Sequence, residues 1–191
     1  MIVFAAIAPH GGPVFDDPEG PTRQGMEELA RRFTAASPES VIVVTPHGTL
    51  LDDHFGVVRS ARLSEHVSPF VADENLYEGP GEPELADATG ERRVAFIASA
   101  DHGHGHTPDG PYGFAPESAE YDEEIQRVVR DNRLAALAGW DPGFAVAAKA
   151  DSFWQLLMLH GALGDGFDAE LLSYEAPTYF GMLTASFRPR K

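Results

Sequence analysis

Three apolar runs in this chain each end on histidine. Ile2–Ala8 leads into Pro9-His10, Val41–Thr45 into Pro46-His47, and Val94–Ala100 into Asp101-His102-Gly103-His104-Gly105-His106. Where parallel strands form an open α/β sheet, their carboxyl ends lie along one edge and outline a common crevice. Neutral imidazole is the commonest metal ligand, so His10 and His47 leaving separate strands at that edge point to metal chemistry. The chain has no cysteine, so any metal must take nitrogen and oxygen ligands. Two histidines and one carboxylate make the facial arrangement that suits non-heme Fe(II) and leaves positions open for substrate and O₂. Two carboxylates compete for that role. Asp151 precedes the apolar segment Phe153–Leu163 and reads equally as a helix cap. Glu175 lies in the Tyr174-Glu175-Ala176-Pro177 turn, where an exposed turn acid is the plainer reading. In the histidine-glycine run an extended backbone throws His102, His104 and His106 to one side, and a turn separates them. At most two of the three can face one metal, and one is expected to act as a general acid/base tuned by Asp101.

The elements that must position these groups are legible from periodicity. Residues 2–8 are short, apolar and partly β-branched, which predicts a buried strand closed by Pro9. From Pro21 to about Ala36, Met26, Leu29, Ala30 and Phe33 share one face at helical spacing, predicting an amphipathic crossover helix. A strand over 41–45 completes the first βαβ unit, and Val94–Ser99 predicts another buried strand. Glu120–Arg130 predicts a helix through Tyr121, Ile125, Val128 and Val129, and Leu134–Leu137 an apolar turn. Residues 152–163 predict a helix apolar nearly all round, hence well buried. Leu171–Tyr174 and Phe180–Phe187 predict two strands joined by a tight connection. Phe55–Leu63 reads as a strand or hairpin arm, and Asp73–Gly90, rich in proline, glycine and acids, as loop. The fold class expected is α/β: one domain over residues 1–191, a three-layer sandwich with a mostly parallel central sheet and helices on both faces.

Composition narrows the function. With 191 residues and 43% hydrophobic content the chain can bury one sizeable core. Its net charge of −16, with the few basic residues scattered, argues against nucleic acid as a partner. No apolar run approaches bilayer length, and the first apolar stretch lacks a preceding basic region, so a cytoplasmic protein with no membrane partner is expected. A homodimer is the expectation from symmetry preferences alone. No GxSxG elbow, P-loop, HExxH or dinucleotide fingerprint occurs. Tyr174 and Tyr179 are candidates to line a pocket for an aromatic ring, whereas His54, His66 and His160 read as structural.

Taken in order, the segments APHGG, TPHG, ASADHGHGH, DSFWQLLMLHGAL and SYEAPTYFGMLTASF resemble the class III extradiol ring-cleavage dioxygenases, in the branch of small proteins related to the protocatechuate 4,5-dioxygenase β subunit. The resemblance spans nearly the whole chain. It implies that His10 and His47 bind Fe(II) with a later carboxylate. It also implies that His104, which falls on the histidine of a serine-glycine-aspartate-x-x-histidine-like segment, serves as acid/base. The family glutamate precedes the helix ending in Gly-Ala-Leu, and counting back from Gly161 reaches Ser152 with Asp151 beside it. Asp151 is therefore the matching carboxylate, and it is shorter than glutamate. The substrate class implied is a small catechol-type aromatic diol, cleaved with O₂ beside the two hydroxyls.

Two other functions fit the same residues. One is a non-catalytic, metal-binding or interaction protein similar to the Memo proteins, a reading that the altered carboxylate favours. The other is a hydrolase in which Zn(II) at the same ligands activates water. Zn(II) or Mn(II) are accordingly the alternatives to Fe(II).

Overall fold

A computed structural model describes residues 1–47, 62–66, 76–80 and 92–190, the two short segments 62–66 and 76–80 by backbone alone. They fall into two compact units. The larger comprises Ile2–Pro46 with Arg93–Lys191, and the smaller comprises Met1 with His47–Arg92.

In the larger unit, β1 (Ile2–Ala8), β2 (Ser40–Val44), β5 (Val94–Ser99), β6 (Phe167–Glu175) and β7 (Met182–Pro189) form one open sheet in the order β2-β5-β1-β7-β6. β5 pairs in parallel with both β2 and β1, whereas β7 runs antiparallel to both β1 and β6. The sheet is thus mixed: α/β as expected, with a parallel core and an antiparallel flank. The flank follows from chain economy, because β6 and β7 are joined by a short connection, which can only reverse the chain. In the smaller unit β3 (Arg62–His66) and β4 (Leu76–Pro80) make a two-stranded antiparallel sheet. β4 lies inside the stretch read as loop, where Leu76 and Tyr77 were too few to show alternation. Residues 55–61 and His54 lie outside the described residues.

Helices pack on both faces of the five-stranded sheet. Alternation along β1 sorts them: Phe4 and Ala6 meet α2 (Pro21–Ala36) through Leu29, Met26 and Phe33, while Ala5 and Ile7 face the opposite layer. That layer holds α3 (Pro116–Arg130), a 3₁₀ turn (Leu134–Gly139), α4 (Pro142–Ala147) and α5 (Phe153–Leu163), and it contains the main core around Tyr121, Ile125, Leu156 and Leu159. Short α1 (Pro13–Asp16) precedes α2. α1 and α4 have no counterpart in the sequence reading, being too short for periodicity to show. One burial expectation is corrected: Trp154 is 58% exposed although the rest of its helix is largely covered. Val41, Ile42 and Val43 are exposed on β2, the edge strand of this sheet among the described residues. No helix among the described residues is long and apolar enough to cross a membrane.

α2 sits unusually close to the sheet at Gly25. A Cβ there would lie 2.5 Å from Ser173 Oγ and closer still to Thr184 Oγ1. Those hydroxyls are hydrogen-bonded to each other at 2.7 Å across β6 and β7. Gly161, in α5, has nothing within 4 Å of the same position. The two glycines therefore predict opposite outcomes. Gly25→Ala should destabilise the fold by about 1–3 kcal/mol through overpacking, outweighing its helix-propensity gain, whereas Gly161→Ala should stabilise it by about 0.5–1 kcal/mol. Urea denaturation of both variants beside the parent measures this.

Candidate functional site

β1 and β5 are neighbours whose carboxyl ends coincide, Ala8 pairing with Ser99 and the Ala100 amide donating to the Ala8 carbonyl at 3.0 Å. Beyond them the chain diverges. β1 continues to α2 on one face and β5 to α3 on the other, so the two exits part and leave a crevice. This is the switch-point geometry at which open α/β sheets bind ligands.

His10 and Asp101 occupy that crevice. The His10 amide donates to Asp101 Oδ1 at 3.1 Å, and its ring Nε2 stands 3.4 Å from Asp101 Oδ2, longer than a usual N–H···O bond. His10 Nδ1 is 3.4 Å from Ser99 Oγ. The Asp101 amide in turn donates to Asp151 Oδ1 at 3.0 Å, and Asp151 Oδ2 lies 3.8 Å from His104 Nε2. Two imidazoles and two carboxylates thus form one chain of contacts: His10, Asp101, Asp151, His104. Asp101 was expected to tune the acid/base histidine; its side chain faces His10 instead, and Asp151 is the acid beside His104. Asp151 is also not the cap of α5. Ser152 takes the cap position without a capping bond, which leaves the Asp151 carboxylate turned to Asp101.

Glu175 goes elsewhere. Its Oε1 accepts the Thr22 amide at 2.8 Å, supplying the first turn of α2 with the acceptor that Gly20, at the cap, lacks. His47 follows β2 by three residues and belongs to the smaller unit, so its part in the site rests on the sequence alone. Among the described residues no group of three or more histidine, aspartate or glutamate side chains already converges as a metal cage.

The histidine-glycine run is separated by its glycines. At Gly103 a Cβ would be 2.6 Å from the Ser118 side chain, and at Gly105 it would be 2.6 Å from Ala115 Cβ, so the loop lies directly on the start of α3. Each histidine finds a different neighbour. His102 is fully buried, its Nδ1 3.0 Å from Ser152 Oγ, which is itself 3.0 Å from Tyr121 OH. Burial lowers its pKa to about 4, so it is a neutral structural group. His106 Nε2 meets Asp122 Oδ2 at 2.8 Å. His104 alone reaches the carboxylate crevice. Its ring stacks on Phe180 at 5.4 Å, meets Tyr112 edge-on at 5.6 Å and lies 6.0 Å from Tyr179. Burial lowers its pKa, and Nδ1 is buried without a hydrogen-bond partner among the described residues. Of the two tyrosines marked for a pocket, Tyr179 borders His104, while Tyr174 donates its hydroxyl to Asp122 at 2.8 Å.

Asp122 escaped the sequence reading. It sits among Glu120, Glu123 and Glu124 and resembles a surface acid, yet Ser118, Asp122, Ile125 and Val129 fall on one helical stripe, and all are buried. That spacing was the available signal.

No family model matches this chain. A Clostridium acetobutylicum protein, named only Protein CA_C1420, is 21% identical over 229 aligned positions, which cover 81% of this chain and 49% of that protein. The chain thus spans about half the length of this relative.

Burial raises the Asp101 pKa to about 8, helped by the neighbouring Asp151 charge and opposed by the His10 amide, and raises that of Asp151 to about 7, opposed by the Asp101 amide. A carboxyl whose folded pKa is raised holds its proton more tightly in the fold than in the unfolded chain. Its contribution therefore declines as pH rises from the unfolded value towards the folded one. His102 and His104, with lowered folded pKa, act oppositely, but only up to their unfolded value near 6.5. Between pH 6.5 and 8 these two carboxylates are the shifted groups that titrate among the described residues. The metal-free protein should lose thermal stability across that window, and Asp151→Asn should flatten the slope, as followed by melting temperature in EDTA.

Proposed function

We propose that this chain is a non-heme Fe(II)-dependent extradiol dioxygenase that cleaves a catechol-type aromatic ring with O₂. The observation that carries the reading is the gathering of His10, Asp101, Asp151 and His104 at the switch-point crevice between β1 and β5. With it goes the family's three-layer fold on a mostly parallel sheet, whose parallel core corresponds to β2, β5 and β1 here.

The donor set fits the metal. It offers imidazole nitrogen and carboxylate oxygen only, as suits Fe(II). Two carboxylates lie close by, Asp101 buried and Asp151 partly so, and among the described residues neither is paired with lysine or arginine, so a divalent cation would offset their desolvation. His10 and Asp151 would hold it from the larger unit, with His47 as the further ligand that the sequence implies. Bound Fe(II) would supply the electron chemistry between diol and O₂.

The protein's own groups do the rest. Asp101 holds the His10 backbone by a hydrogen bond and stands beside its ring, the place of an outer carboxylate that orients a ligating imidazole. His104, kept neutral by burial, is suited to take a proton from a diol hydroxyl and return it later. Phe180, Tyr179 and Tyr112 surround that imidazole with aromatic faces, against which a planar ring packs edge-on or offset. The covered position of His104 also limits water beside the reacting ring.

Anaerobic loading with Fe(II), followed by catechol or protocatechuate in air, tests the proposal. The expected result is stoichiometric O₂ uptake with a yellow ring-fission product. His10→Ala should lose bound metal, whereas His104→Ala should retain it and lose roughly 10²- to 10⁴-fold in turnover. Zn(II)-supported ester or amide hydrolysis without O₂ uptake would establish the hydrolase instead. Tight metal binding with neither activity would establish a Memo-like binding protein.

A further inference from the structure

Asp122 is a fully buried carboxylate with three hydrogen bonds that the proposed reaction does not use. Oδ1 accepts the Gly103 amide at 2.6 Å, while Oδ2 accepts both the Tyr174 hydroxyl and the His106 ring, each at 2.8 Å. Where the carboxylate accepts at both oxygens, the His106 ring is the donor and carries a proton on Nε2. Gly103 and His106 lie on either side of His104 in the chain. Further bonds brace the same run: the His102 amide donates to the Gly181 carbonyl at 2.9 Å, the Gly181 amide to the Gly103 carbonyl at 3.0 Å, and the His106 amide to the Tyr179 carbonyl at 3.1 Å. A Cβ on Gly181 would run into the Asp122 carboxylate, so the three segments meet with no slack.

We infer that Asp122 is a positioning residue for His104: from beneath the loop it fixes Gly103 on one side and His106 on the other, and so sets the direction in which the His104 imidazole meets Asp151. His106 is on this account an anchor rather than a second proton carrier. Tyr174 ties the same carboxylate to β6, so the loop is referenced to the sheet as well as to α3. With donors on both oxygens, the arrangement depends on a group that accepts at each of them. Asparagine, with the same shape, keeps the Gly103 bond but presents an NH₂ to Tyr174 and His106, and it cannot accept from either.

The kinetic part of the test rests on the dioxygenase reading; the spectroscopic part does not. Long-range ¹H–¹⁵N spectra of the histidine rings in the full-length, metal-free chain report tautomer and order at each imidazole. In Asp122→Asn the His106 signals should leave the Nε2–H tautomer and those of His104 should shift or broaden, while His102 stays unchanged. If the wild-type chain oxidises diols, turnover should fall on the order of 10- to 100-fold in this variant, with KM and Fe(II) content retained, as expected for a misaimed group. Should Asp122→Asn not fold, His106→Gln and His106→Leu make the comparison. Glutamine can still donate to Asp122 and should recover most of the His104 spectrum and turnover, whereas leucine should not. A His104 spectrum that is unaltered in Asp122→Asn, or in His106→Leu where that pair is used, overturns the inference whether or not the protein oxidises diols. Equal loss of turnover in His106→Gln and His106→Leu would overturn it too, because His106 would then be acting through its own ring.

Discussion

The crevice exists because two adjacent parallel strands send their continuations to opposite faces of one sheet. β1 and β5 are held in register to their last residues by the ladder and by the Ala100 amide on Ala8. One residue past that point their paths part, towards α2 and towards α3. Asp101 spans the gap, its side chain accepting the His10 amide while its own amide donates to Asp151. Three distant stretches of chain are thereby joined through a single residue, and each depends on the β1–β5 pairing to arrive at the same height.

That junction brings like charges together out of water. Asp101 is nearly buried and Asp151 partly so, and both hold their protons well above the ordinary carboxylate range. Nearby polar groups are handled differently. His102 meets Ser152 through Nδ1, has no partner at its buried Nε2 among the described residues and is kept neutral by burial, whereas Asp122 is surrounded by donors. One site therefore places, within a short span, an acid that accepts three hydrogen bonds and two acids that each accept a single backbone amide. Such contrast between neighbouring titratable groups is characteristic of functional sites.

Much of this is legible in the amino-acid order, and the reasons for the remainder are specific. α2 shows both its ends, Pro21 at the first turn and the loss of periodicity after Ala36, because an amphipathic stripe of four turns leaves a strong signal. β1 and β5 show themselves as short apolar runs closed by proline or aspartate. His10 and Asp151 stand out by what precedes or follows them, and His104 is singled out only by the family resemblance. Their partners do not stand out, since the identity of the strand beside β1 depends on sheet order: β5 is its neighbour, and so Asp101 meets His10. Glu175 illustrates the same limit, for nothing local says that a turn acid serves the first turn of a helix 153 residues earlier. The antiparallel flank was readable as a hairpin, but its attachment to β1 was not.

The reversed direction of β7 has a consequence for how such a protein could diversify. Because β7 runs against β1, the residues that precede it, Tyr179, Phe180 and Gly181, arrive at the edge where β1 and β5 leave off. The lining around His104 is therefore written partly in a hairpin connection outside the three-strand parallel core. Exchanges at Tyr179 would remodel the walls of the cleft while the ladder beneath it stayed intact, so ligand preference could drift along a lineage faster than the framework that presents it.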